Sequence, residues 1–145
     1  MGPGGRDFFI LVADDDEDDC LLIRDAIQDN GLDCEFRFVY DGKDLMEELY
    51  RGRDRSAPGA ARYPDLILLD LNMPRKDGRE ALREIKNDAD LRAIPVVVLT
   101  TSSDDRDVEL CNSLGADSFI TKPMIYSEWV EAMETVCRHY HHHSN

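Results

Sequence analysis

Five side chains that could carry out chemistry stand where short apolar runs of this sequence end. They are three carboxylates, one hydroxyl and one ammonium: Asp14, Asp15, Asp70, Thr100 and Lys122. Clustered carboxylates repel one another and favour a cation among them, and hard oxygen ligands suit Mg²⁺. Beside such a metal, the Asp70 oxygen could attack a phosphoryl group and form an aspartyl phosphate. Lys122 would then balance the charge of one phosphate oxygen, while the Thr100 hydroxyl would donate to another.

The apolar runs before these residues predict the strands of a parallel sheet. Leu66–Leu69 is apolar throughout and is bounded by polar and turn residues, which is typical of a strand buried on both faces. Four more strands are predicted at 8–13, 35–39, 96–99 and 118–121, with helices between and after them. This alternation predicts an α/β three-layer sandwich of five parallel strands and five helices with right-handed crossovers. The carboxyl ends of the strands would meet at one edge, where open α/β sheets bind ligands.

Length and composition fit one soluble domain. The chain has 145 residues, 42% hydrophobic and 33% charged, which is enough apolar material for a single core. Its formal net charge of −14 would repel nucleic-acid phosphates, so we expect no direct nucleic-acid binding. Because no apolar run approaches the ~20 residues that span a bilayer, and residues 1–7 lack a secretory apolar region, we expect a cytoplasmic protein with no membrane contact. The four scattered cysteines are expected to be reduced thiols.

The residues at the strand ends resemble the receiver domain of two-component response regulators. The resemblance is carried by four motifs in the family's order: Asp14-Asp15, Leu69-Asp70-Leu71-Asn72-Met73-Pro74, Thr100, and Lys122-Pro123. It implies a flavodoxin-like, doubly wound sheet with strand order 2-1-3-4-5. It also implies that a sensor histidine kinase transfers a phosphoryl group to the chain, which then switches a face that binds a partner.

The resemblance covers residues 8–140, which we expect to form one receiver domain. Residues 1–7 would be a flexible leader, and residues 141–145 would be a tail or the remnant of an expression tag. The long loop over residues 51–64 is similar to that of stand-alone regulators, including those partnered with bacterial phytochromes. No output domain is expected after the last helix, so the output would be a contact with an effector that the sequence does not identify.

The resemblance also implies a role for each residue of the motifs. Asp70 would accept the phosphoryl group, and Thr100 and Lys122 would hold its oxygens. The ligands of Mg²⁺ would be Asp14, Asp15, Asp70 and Asn72. Asn72 would use its main-chain carbonyl, and Asp14 would act mostly through water.

Further roles concern the response to phosphorylation. Phe119 would be an aromatic switch that turns inward as Thr100 moves toward the phosphoryl group. Asn72 and Ser102, each two positions past a key residue, would tune the lifetime of the phosphoryl group. Lys122 and Pro123 would be joined by a cis peptide bond. A homodimer, if it forms, would use the last two helices and the last strand.

Three other functions share part of this pattern. Asp14-x-Asp16-x-Asp18 is similar to a calcium loop, but it lacks the glycine and terminal glutamate of that loop and follows a strand. The Asp70 strand is similar to that of haloacid-dehalogenase phosphatases, which carry a second Asp where this chain has Asn72. A flavodoxin-like FMN protein shares the topology, but an acidic loop would repel its phosphate. Within the receiver interpretation, a phosphate sink or shuttle and a degenerate, unphosphorylated module are the alternatives. We expect the protein to catalyse only its own phosphorylation and dephosphorylation.

Overall fold

The computed structural model describes residues 8–31, 33–52, 63–101 and 104–143, in which strands and helices alternate. The strands are β1 (Phe8–Ala13), β2 (Cys34–Val39), β3 (Leu66–Leu69), β4 (Val96–Thr100) and β5 (Ser118–Thr121). The helices are α1 (Glu17–Asp29), α2 (Gly42–Arg51), α3 (Gly78–Asn87), α4 (Asp105–Leu114) and α5 (Tyr126–His143). The predicted leader, most of the predicted long loop and Ser102 lie outside the described residues.

All five strands are parallel and lie in the order β2-β1-β3-β4-β5. This is the flavodoxin-like, doubly wound sheet, so the predicted fold class and strand order are confirmed. Strands β1, β3 and β4 are buried along their whole length because helices cover both faces of the sheet. Strand β2 alternates between half-buried and exposed residues, as the predicted edge strand should.

The core consists of one apolar cluster on each face of the sheet. Because side chains alternate along a strand, Leu11 and Ile67 point toward α2, α3 and α4, while Ile10 and Leu68 point toward α1 and α5. The two clusters make the three layers of the sandwich, and they fix each strand end relative to the helix that follows it. All four cysteines are free of disulfide bonds.

Aspartate side chains begin four of the five helices. Each accepts a hydrogen bond from a backbone N–H of the first helical turn, which would otherwise have no partner. These caps are Asp16, Asp41, Asp77 and Asp104. Helix α4 ends at Gly115, whose φ of 103° is in the left-handed region that glycine adopts without steric cost.

Two features of the C-terminal part differ from the predictions. The peptide bonds of the described residues are all trans, so the predicted cis bond between Lys122 and Pro123 is wrong. Trans is the lower-energy form even before proline, and Lys122 reaches its partners with it. Helix α5 also continues to His143, where a tail was predicted after residue 140. No glycine or proline interrupts it, and the buried Tyr140 shares a 2.9 Å hydrogen bond with Ser118 of β5.

Among the described residues, no helix is both long and apolar enough to cross a membrane.

Candidate functional site

The register of β1 and β3 brings two buried carboxylates together. Ala13 is paired with Leu69, and the Asp70 N–H donates to the Ala13 carbonyl at 2.9 Å. Asp14 and Asp70 therefore follow their strands at the same level of the sheet, and they are only 1% and 5% exposed. Asp15 is exposed at the rim.

The carboxylates of Asp14, Asp15 and Asp70 form a group that can bind a divalent cation. Each offers one oxygen, and these oxygens lie within 4.8 Å of one another. Hard oxygen ligands with negative charge are the donors that small divalent cations prefer, so the donor set fits such an ion. The convergence expected from the strand ends is therefore present.

Lys122 extends from the end of β5 into this group of acids. Its Nζ lies 2.8 Å from Asp14 Oδ2 and 3.2 Å from Asp70 Oδ2. A third carboxylate, Asp19 of α1, is nearest, with Oδ2 at 2.6 Å. The side chain of Lys122 is only 7% exposed, so the ammonium depends on these carboxylates rather than on water for its stabilisation.

Thr100 and Phe119 lie on neighbouring strands beside the acids. Thr100 is fully buried at the end of β4, and its carbonyl accepts a 2.7 Å hydrogen bond from the Lys122 N–H. Phe119 is paired with Val98 in the sheet, is half-buried, and packs against the cluster beneath α2, α3 and α4. The two residues of the predicted switch are thus on adjacent strands, and their switching role stays a prediction.

Asn72 lies on the loop that follows Asp70. Its side chain is exposed, and its N–H donates to Asp70 Oδ1 at 3.2 Å. The other end of the loop is tied back by a 2.9 Å hydrogen bond from the Gly78 N–H to the Leu71 carbonyl. A Cβ at Gly78 would lie 2.3 Å from the Asp70 carbonyl oxygen, so only glycine allows this close approach. The second predicted tuning residue, Ser102, lies outside the described residues.

Burial and charge shift the proton affinities of this site. Burial raises the pKa of Asp14 to about 6; hydrogen bonds from Lys122 and from the Asp16 N–H oppose this rise, and the charge of Asp70 adds to it. Burial alone would lower the pKa of Lys122, but hydrogen bonds to Asp14 and Asp19 outweigh it and raise that pKa. Lys122 is therefore a permanent cation at neutral pH.

Sequence reasoning missed one member of the site, Asp19. Its position in the run of acids from Asp14 to Asp19 was the available signal, because Asp16 caps α1 and Asp19 then falls in the first turn. What the sequence did not provide was the rotation of α1, which decides that this acid faces Lys122. The contact joins residues 103 positions apart.

At the carboxyl edge of its doubly wound parallel sheet, the chain carries three acids, a buried lysine and a buried threonine. This combination defines a class of signalling receiver proteins. The family model described as "Response regulator receiver domain" matches residues 10–134. The chain therefore belongs to the response regulator receiver domain family, as the motifs predicted.

Several relatives are similar over most of their length. Response regulator Rcp1 of Synechocystis sp. is 41% identical over 114 residues, which are 78% of this chain and 75% of Rcp1. The crystal structure of the phosphorylated cyanobacterial phytochrome response regulator RcpA has a TM-score of 0.83 and 36% identity, covering 93% of this chain and 94% of RcpA. The Mn²⁺-bound form of Rcp1 has a TM-score of 0.77 and 36% identity, covering 89% and 91%. The chain is thus homologous to phytochrome response regulators.

Proposed function

We propose that the chain accepts a phosphoryl group from a histidine kinase on the carboxylate of Asp70. The observation that carries the proposal is the position of this carboxylate. It lies within 4.8 Å of Asp14 and Asp15 oxygens and 3.2 Å from Lys122 Nζ. Homology to RcpA, which has been crystallised in a phosphorylated form, supports it.

We propose Mg²⁺ as the cation of this site. Asp14, Asp15 and Asp70 would hold it, together with the main-chain carbonyl of Asn72, since all of these are hard oxygen donors. The related Rcp1 has been crystallised with Mn²⁺, which accepts similar ligands. When bound, the cation supplies positive charge that neutralises the oxygens of an incoming phosphoryl group.

In the transfer, an Asp70 oxygen forms a bond to phosphorus as the bond from phosphorus to the kinase histidine nitrogen breaks. The imidazole leaves with the electron pair of that bond and takes a proton from solvent. Lys122, a permanent cation beside Asp70, holds one phosphoryl oxygen by charge. The Thr100 hydroxyl donates to another oxygen, and its movement would let Phe119 turn inward.

The kinase would be of the phytochrome type, because the relatives include the phytochrome response regulator RcpA and RPA3017, a response regulator in red light signaling of R. palustris. The partner-binding face that phosphorylation switches would comprise α4, β5 and α5. A homodimer would use the same face. Sedimentation of free and phosphorylated protein tests the dimer. Identical masses at high concentration would contradict it.

The proposed chemistry is tested by intact mass after incubation with acetyl phosphate and Mg²⁺. Wild type should gain one phosphoryl group, and Asp70→Asn should gain none. Asp18→Asn, which removes a nearby exposed acid outside the metal group, should behave like wild type. Equal uptake by Asp70→Asn would refute the assignment, and no uptake by wild type that binds Mg²⁺ would refute the function.

A further inference from the structure

The loop of residues 71–77, which joins β3 to α3, is fastened to the start of α2 by an ion pair. Arg75 Nε donates to Asp41 Oδ2 at 2.7 Å, and Arg75 Nη2 donates to Asp44 Oδ1 at 2.8 Å. Asp41 is only 8% exposed, and its other oxygen accepts the Asp44 N–H at 2.8 Å. One carboxylate therefore both caps α2 and holds the loop.

Backbone geometry shows that the loop is held tightly at this point. Arg75 has a φ of 64°, and among the described residues it is the only one besides glycine with a positive φ. A side chain in this left-handed region is disfavoured, so surrounding contacts must maintain it. The next residue lies directly on α2, because a Cβ at Gly42 would be 2.2 Å from the Lys76 carbonyl oxygen.

The charge of Asp41 also depends on this contact. Burial alone would raise the pKa of Asp41, but the hydrogen bond from Arg75 and the one from the Asp44 N–H lower it below its ordinary value. The acid is thus an anion over the physiological range, and the pair is formed whenever the loop is in place.

We propose that Asp41 and Arg75 are a positioning pair for cation binding at the acidic site. By fastening loop 71–77 they fix the main chain of Asn72, whose N–H donates to Asp70 Oδ1 at 3.2 Å. Neither side chain is itself a proposed ligand of the cation. The inference rests on the proposed function in one respect, since Asn72 is a proposed ligand.

Two charge-removing variants separate positioning from simple electrostatics. Arg75→Asn removes a positive charge and keeps a residue that tolerates the left-handed region. Asp41→Asn removes a negative charge and keeps a good helix cap. Electrostatics alone would strengthen cation binding in the first variant and weaken it in the second. Positioning weakens binding in both.

The test is calorimetric titration of the purified full chain with Mn²⁺ and with Mg²⁺. We expect each single variant to bind about tenfold more weakly, the lower end of the range for residues that orient metal ligands. The double variant should lose little more, because the two residues act through one contact. Thermal unfolding of each variant without metal shows whether it is folded. If Arg75→Asn is not folded, Arg75→Gly replaces it.

The matched control is the exposed ion pair of Arg106 Nη2 and Asp104 Oδ2, which are 3.1 Å apart. As at α2, the aspartate of this pair also caps its helix, because the Asp104 side chain accepts the Arg106 N–H. Arg106→Asn should leave the affinity unchanged. Undiminished affinity in Arg75→Asn overturns the proposal, and so does an equal loss in Arg106→Asn. Because the titration needs no phosphoryl donor, it decides on the pair even if wild type takes up no phosphoryl group.

Discussion

Lys122 Nζ is closer to Asp19 Oδ2, at 2.6 Å, than to Asp14 at 2.8 Å or Asp70 at 3.2 Å. The ammonium is therefore anchored from α1 as well as by the two acids that follow β1 and β3. An anchored lysine can exchange its contact with the Asp70 carboxylate for one with a phosphoryl oxygen without losing all of its counter-charge. Asp19 thus adds a fixed partner to the site.

We expect Asp19→Asn to weaken Mg²⁺ binding. Without Asp19, the ammonium of Lys122 would rest wholly on Asp14 and Asp70, where it competes with the cation. The expected loss in affinity is about threefold to tenfold. This is at or below the lower end of the range for residues that contact metal ligands without binding the metal themselves. Calorimetric titration measures it.

The control for this variant is Asp18→Asn, which removes an exposed acid next to Asp19 without a lysine contact. It reports the effect of net charge alone, and its loss should be smaller. Equal affinities of the two variants would show that the contact with Lys122 does not matter for cation binding.

The pKa of Asp14, about 6, predicts a pH dependence of metal-free stability. Between its unfolded value near 3.8 and 6, the folded protein binds more protons at this site than the unfolded chain. The Asp14 contribution to stability is then complete below pH 3.8 and is lost as the pH rises through 6. Relative to Asp14→Asn, wild type should lose about 2 kcal/mol in free energy of unfolding between pH 4 and 7.

Urea unfolding of both proteins across this range, in the presence of a chelator, measures the difference. A difference that grows in the opposite direction would mean that Lys122 keeps Asp14 ionised at all these pH values. Mg²⁺ should abolish the effect, because a bound cation requires the ionised carboxylate.

We expect Gly78→Ala to lower the free energy of unfolding more than a usual substitution at the start of a helix does. The added Cβ would overlap the Asp70 carbonyl oxygen at 2.3 Å and the Leu71 Cα at 2.6 Å. Overpacking of this kind costs about 2–3 kcal/mol in free energy of unfolding, and relieving it displaces Asp70, so uptake from acetyl phosphate should also fall.

Gly31→Ala is the comparison, since Gly31 has a φ of 74° but nothing within 4 Å of an added Cβ. It should cost about 1 kcal/mol through backbone strain alone and leave uptake unchanged. Urea unfolding and intact mass are the two measurements. If both variants behaved alike, the close approach at Gly78 would not constrain the site.

We expect Tyr140→Phe to destabilise the protein by about 1 kcal/mol, the usual net value of one hydrogen bond. The lost bond joins the Tyr140 hydroxyl to Ser118 at 2.9 Å and attaches the end of α5 to β5. Tyr40→Phe is the control, because Tyr40 is exposed and has no such bond. Chemical denaturation distinguishes the variants, and equal stability would mean that the last turns of α5 contribute nothing to the fold.

Much of the fold followed from local sequence. The apolar run before Asp70 identified β3 because a strand covered on both faces needs no polar residue. Alternation then required parallel strands, but it does not determine which strands are neighbours. That order came from the resemblance of the motifs around Asp14 and Lys122 to a known family.

The contacts that the sequence did not predict are long-range ones between side chains. Asp19 reaches Lys122 because of how α1 is rotated, and Arg75 reaches Asp41 because a loop crosses the start of α2. Neither depends on spacing along the chain. The expected cis bond before Pro123 was carried over from the family, and local chemistry alone did not require it.

The span of the contact between Asp19 and Lys122 also has a consequence for how the protein is made. Its two residues are 103 positions apart, so the ribosome releases the acids long before the lysine that offsets them. Until β5 has emerged, the nascent chain carries carboxylates that cannot be buried without a counter-charge. The buried arrangement of Asp14, Asp70 and Lys122 therefore forms only once Lys122 has left the ribosome, so the acidic site is completed after strands β1 to β4 have been made.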